Sequence, residues 1–141
     1  MRYLHVCINA KDWNKLSQFY QNVFGCVPLE PRRNHFGERI EKMWGGLDGL
    51  RIVGEHVGVP GYAEGFDGPT LEIFTNNMPE KGSITDYGLT HICFEVENEG
   101  EVVDRILENG GSLISTYDDP RNVRTVFTRD PEGNVVEIHL P

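Results

Sequence analysis

The chain repeats itself, and that bounds its fold more tightly than any other feature. His-x-Cys stands inside an apolar, strand-like run at His5/Cys7 in YLHVCINA (3–10), and again at His91/Cys93 in LTHICFEV (89–96), an offset of 86 positions for both members. Gly25, closing FYQNVFG, meets Gly111 of ILENGG at the same offset. The segment between is helical in both copies. In the first, Leu16, Phe19, Tyr20, Val23 and Phe24 fall at helical spacing behind Asp12, an N-cap residue type, and Gly25 suits the left-handed position after a helix. In the second, Val102, Val103, Ile106 and Leu107 make the apolar face and Gly110-Gly111 the stop. Self-similarity at a fixed distance means two copies of one supersecondary unit.

Both copies also close alike. GPTLEIF (68–74) and GNVVEIH (133–139) are apolar strands carrying one carboxylate each, Glu72 and Glu137, behind a Gly-containing turn. Their offset is 65, so the first copy carries 21 extra residues, assigned to the Gly-rich stretch 54–69 and expected to form a cover over the site. Between helix and closing strand, ERIEKMWGG (38–46) and LRIVGEHV (50–57) read as strands, with SLISTYDD (112–119) and RTVFTRD (124–130) as their counterparts and DPEG (130–133) as a hairpin turn.

A chain of 141 residues, 38% hydrophobic, buries one good core and not two independent ones. The copies, module 1 about 1–80 and module 2 about 86–141, are therefore read as halves of a single domain, 1–141, with a shared core. A net charge of −9 with no basic stripe disfavours nucleic acid and anionic membrane surfaces, leaving a small molecule as the expected partner. A strand soon after Met1, no membrane-length apolar run and an odd count of three cysteines lead to the expectation of a cytoplasmic protein without disulfides.

Strand parity then sorts the side chains. Leu4, Val6 and Ile8 face the helix while His5, Cys7 and Asn9 face away; Ile92, Phe94 and Val96 oppose His91, Cys93 and Glu95 in the same manner. Leu71/Ile73 and Val136/Ile138 leave Glu72 and Glu137 on the other face as well. If the sheets curl, two imidazoles and two carboxylates converge on a concave surface that penalises unpaired charge. A divalent metal removes that cost, because it takes deprotonated oxygen and neutral nitrogen ligands. Cys7, Cys26 and Cys93 are expected as small core residues, and His35 and His56 as surface positions.

The segments LHVCINAKDWNKLSQFYQNVFG, TLEIF, LTHICFEV, NGG and DPEGNVVEIHLP together resemble the vicinal oxygen chelate superfamily (glyoxalase/bleomycin resistance/dioxygenase), over nearly the whole chain. The resemblance implies an α+β fold in which two βαβββ modules form a curved mixed sheet around a metal cavity. It implies His5 and Glu72 as ligands from the first module and His91 and Glu137 from the second, a set closest to glyoxalase I (lactoylglutathione lyase). The implied cofactor is a divalent metal ion (nickel, zinc, cobalt or manganese), and the implied assembly a homodimer whose site is shared between chains or held within one. The implied chemistry is proton transfer through an enediolate on a substrate with adjacent oxygens, with Glu137 as first choice of base and Glu72 as second. Asn76 matches an asparagine of the family that binds substrate. Asn9 stands where bacterial glyoxalase I has an arginine for a glutathione carboxylate, which predicts weak use of glutathione unless Arg32, Arg33, Arg121, Arg124 or Arg129 supplies the charge. An epimerase of an acyl-CoA-like substrate, a ring-cleavage dioxygenase and a metal-free small-molecule or antibiotic-binding protein stay open.

Overall fold

The computed structural model describes residues 4–43, 48–77, 91–118 and 124–140. They divide into two compact units, the first comprising Met1–Gln21 with Gly25–Gly82 and the second Asn22–Phe24 with Ser83–Pro141. In chain order the first unit carries β1 (His5–Asn9), α1 (Trp13–Phe24, its last three residues counted with the second unit), β2 (Val27–Phe36), α2 (Glu38–Met43), β3 (Arg51–Gly58), a 3-10 turn (Gly65–Asp67) and β4 (Thr70–Asn76). The second carries β5 (Ile92–Glu95), α3 (Glu99–Glu108), β6 (Ser112–Asp118), β7 (Arg124–Arg129) and β8 (Val135–His139). The fold is α+β. Each unit holds a four-stranded mixed sheet, ordered β1-β4-β3-β2 and β5-β8-β7-β6. The first and last strand of each copy pair in parallel, and all other pairs are antiparallel.

Local chemistry explains the elements. Asp12 caps α1 by accepting from Lys15 N at 3.0 Å, and Gly25 ends it at φ 71°. α3 is capped by Asn98, which accepts from Glu101 N at 3.2 Å. In the β7–β8 turn the buried Asp130 accepts from the backbone of Glu132 and Asn134 through one oxygen and from the Asn134 amide through the other. That turn lies where DPEG predicts one.

In the first unit Leu16, Phe19 and Tyr20 of α1 are buried, as are Ile8, Val57, Leu71 and Ile73 of the sheet. In the second, Val102 and Ile106 are buried with Val126, Val136 and Ile138. Leu107, expected on that face, is 49% exposed, and Leu4, ahead of β1, is 50% exposed. A smaller cluster of Ile40, Leu50, Ile52 and Phe74, with Cys7 against it, lies in the first unit.

The stretch 38–46 departs from expectation. Glu38–Met43 is helix, and the strand before β3 is Val27–Phe36. Pro28 and Pro31 argue against a central strand, but β2 lies at the sheet edge, where a missing N–H is tolerated. Glu, Arg and Lys around a single Ile at 38–42 favour helix. The extra chain of the first copy is consequently divided, part around α2 and part in the 59–69 connection, while 54–58 belongs to β3.

Candidate functional site

Register places Glu72 between two neighbours on one face of the first sheet: Cys7 of β1 on one side and His56 of β3 on the other. His5, two residues before Cys7, shares that face. Its Nε2 stands 3.4 Å from Glu72 Oε2, and His56 Nε2 stands 3.0 Å from Glu72 Oε1. The two imidazoles thus meet different oxygens of one carboxylate, with their rings edge to face at 6.0 Å. On its far side His56 Nδ1 is 3.1 Å from Thr70 Oγ1.

The second unit repeats the arrangement. Glu137 of β8 has Cys93 and Phe127 as register partners, and His91, immediately before β5, brings Nε2 to 2.9 Å from Glu137 Oε2. His91 lies edge to face on Phe127 at 5.9 Å. Exposure also matches: the His5 and His91 side chains are 43% and 37% exposed, against 16% and 19% for Glu72 and Glu137, so each pair is open to an incoming ligand.

These distances test the donor set against a metal. Two ligands each about 2.0–2.2 Å from one ion, at tetrahedral or octahedral angles, stand about 2.9–3.5 Å from each other. Both His–Glu separations fall within that span. A carboxylate must be deprotonated to ligate, and the Glu72 carboxyl is held below its ordinary value, first by the His56 hydrogen bond, against the opposing effect of burial. The Cys7 thiol is pushed up to about 12, chiefly by burial and then by Glu72, so without an ion beside it the thiol stays protonated. The pairs therefore fit a divalent cation. Among the described residues no cluster of three or more His, Cys, Asp or Glu surrounds a single point. The contacts are pairwise.

Other expected residues fall as follows. Asn76 Nδ2 donates to Asn9 Oδ1 at 3.2 Å, which brings the two substrate-binding candidates together. Arg32 is engaged by the buried Glu55 at 3.2 Å, and Arg129 Nη1 donates to Gly133 O. Arg33 Nη1 donates to Pro31 O, and its guanidinium lies over the Phe66 ring at 5.6 Å. Arg121 lies outside the described residues. Phe66, in the 59–69 connection, packs edge to face on His56 at 5.1 Å. His35 is exposed as expected.

His56 is not the surface residue that the sequence suggests: it is 8% exposed and bound to Glu72. Parity within Ile52-Val53-Gly54-Glu55-His56-Val57 was its one sequence signal, and it was ambiguous, because both faces of β3 carry apolar residues. The β3–β4 register that brings His56 to Glu72 depends on the path of the intervening connection.

Among the described residues no helix is long and apolar enough to cross a membrane. A sequence model of the Glyoxalase/Bleomycin resistance protein/Dioxygenase superfamily matches residues 2–138. A lactoylglutathione lyase of Neisseria meningitidis serogroup A is 30% identical over 140 residues, covering 97% of this chain and 88% of that protein. Among solved structures, a glyoxalase family protein from Bacillus cereus superposes with a TM-score of 0.74 at 18% identity, over 99% of this chain and 92% of that one. A fosfomycin resistance protein variant from Listeria monocytogenes, complexed with Mn(II) and 1S,2S-dihydroxypropylphosphonic acid, superposes with a TM-score of 0.59 at 18% identity, over 98% and 90% of the two chains.

Proposed function

The chain belongs to the glyoxalase/bleomycin resistance protein/dioxygenase superfamily, and from that membership we propose that it is a metal-dependent lyase or isomerase of the glyoxalase I type. The observation that carries this reading is the matched pair of His–Glu contacts, His5 with Glu72 and His91 with Glu137, at separations suited to neighbouring metal ligands. The proposed shell takes all four residues, from one chain or from two copies. The ion, when bound, supplies Lewis acidity to a substrate bearing two adjacent oxygens. Glu137 takes the proton from the carbon beside those oxygens and returns it to the neighbouring atom. Glu72 is the less suitable base, because His56 already engages one of its oxygens.

Asn9 and Asn76, joined through their amides, form the proposed polar contact for the substrate's distal end. Neither carries charge, so an anionic end would look to Arg33, whose guanidinium rests on the Phe66 ring that also packs on His56. The 59–69 connection acts as a cover in this reading, through the same Phe66 contact. Glutathione as the carrier is the second reading, favoured by the name of the Neisseria relative.

Metal analysis of protein purified without chelator tests the class. Nickel, zinc, cobalt or manganese at close to one ion per four proposed ligands is expected, with activity lost on chelation and restored on readdition. Bound iron instead supports the dioxygenase class, and no metal supports a binding protein. Turnover of the methylglyoxal–glutathione hemithioacetal by metal-loaded protein is expected to be weak. A kcat/KM at or above about 10⁵ M⁻¹s⁻¹, ordinary for an enzyme, would make glutathione the carrier.

A further inference from the structure

We propose that His56, itself oriented by Thr70, is a positioning residue that holds Glu72 with one oxygen turned to His5 and its other oxygen occupied. The inference rests on the metal reading above and adds a residue to it.

Hydrogen-bond accounting fixes the roles. A carboxylate only accepts, so His56 Nε2 donates to Glu72 Oε1 at 3.0 Å. In the neutral ring Nδ1 then lacks a hydrogen and accepts from the Thr70 hydroxyl, 3.1 Å away. Thr70 thereby selects the tautomer that His56 needs, and His56 selects which oxygen Glu72 offers to His5. The chain from Thr70 to His5 is buried at Thr70 and His56 and opens to solvent at His5.

The second unit supplies an internal control. By register, the residue across from Glu72 on β3 is His56, and the residue across from Glu137 on β7 is Phe127. The residue two before the glutamate is Thr70 in one copy and Val135 in the other. The steric arrangement is nonetheless alike: His5 meets the His56 ring at 6.0 Å and 85°, and His91 meets the Phe127 ring at 5.9 Å and 80°. An apolar ring therefore does the packing at this position. The first unit adds the two hydrogen bonds, and it adds both members of the relay together. Glu72 is restrained through its second oxygen, whereas Phe127 offers Glu137 no such bond.

The experiment converts the first copy into the second. His56→Phe keeps a ring that the chain already accommodates at the equivalent place, Thr70→Val removes only the hydroxyl, and each is measured alone and combined. The readouts are Ni(II) affinity by competition with a chromophoric chelator, the visible absorption of the Co(II)-loaded protein, and the thermal midpoint. Loss of an orienting partner typically weakens metal binding by about 10- to 100-fold. That loss is expected for His56→Phe, with a perturbed Co(II) spectrum and a nearly unchanged midpoint. Thr70→Val is expected to lose less, and the double variant no more than His56→Phe. Ni(II) affinity of His56→Phe within about threefold of the parent overturns the proposal, and so does a Thr70→Val effect of equal factor in the parent and in His56→Phe. His5→Ala in the same assay separates the two readings: if it binds like the parent, the ligand assignment fails, whatever His56 does.

Discussion

At the scale of single residues, the two glutamates look equivalent in sequence and differ in their surroundings. Glu72 is engaged by His5 and His56, and Glu137 by His91. If Glu137 carries the proton, Glu137→Gln keeps the site's volume and most of its metal but lowers kcat by about 10²- to 10⁴-fold, the usual contribution of a general base. His91→Ala is expected to lose metal and activity together, so metal content measured beside kcat distinguishes the two roles. Cys26 gives a prediction independent of the site. Burial pushes its thiol from the ordinary 9.0 up to about 12. Between those values the unfolded chain has lost a proton that the folded chain keeps, so stability is complete below pH 9 and falls as pH rises above it. The slope from this group approaches about 1.4 kcal/mol per pH unit. Urea unfolding at pH 8 and pH 10 is expected to show the fall, and Cys26→Ala to show less of it.

At the scale of elements, β3 is constrained by its two faces. Glu55, on the face opposite to His56, is buried, hydrogen-bonded to Ser17 of α1 and ion-paired with Arg32 of β2. Two residues before His56, on its own face, Gly54 lets Phe74 pass close to the backbone: a Cβ there would lie 2.0 Å from Ile73 O and 2.6 Å from the Phe74 ring. Neither contact is sustainable, and the backbone oxygen cannot swing away as a side chain does. Gly54→Ala is expected to cost at least about 1–3 kcal/mol, the usual range for overpacking, read as a lower urea midpoint. An unchanged midpoint would mean that β3 and β4 separate more easily than their paired register implies.

At the scale of the molecule, the open question is assembly. Each sheet ends in edge strands, β1 and β2 in the first and β5 and β6 in the second, and an edge is what another sheet can cover. A homodimer is expected, and light scattering at micromolar concentration checks it, against the monomer mass of 16.0 kDa. Mixing inactive His5→Ala with inactive His91→Ala then tests where the ligands come from. Recovered activity requires a site built from two chains, because only a mixed dimer then assembles one complete shell. No recovery from a confirmed mixed dimer places all four ligands in one chain.

Covalent order alone determined the repeated strand–helix opening, the helix caps at Asp12 and Gly25 and the turn at DPEG, because periodicity, capping and turn chemistry act over a few neighbouring residues; strand parity put His5, Glu72, His91 and Glu137 forward as candidates. His5 and Glu72, 67 positions apart in sequence, were legible as partners only through the repeat, which supplies each half with a second example of itself. Tertiary structure decided the rest. It made 27–36 a strand and 38–43 a helix where sequence placed a strand at 38–46, since a sheet edge tolerates Pro28 and Pro31. It also brought His56 to Glu72, since that contact depends on the register of β3 against β4, set by how an 11-residue connection (59–69) closes and not by any local preference of Gly-Glu-His-Val.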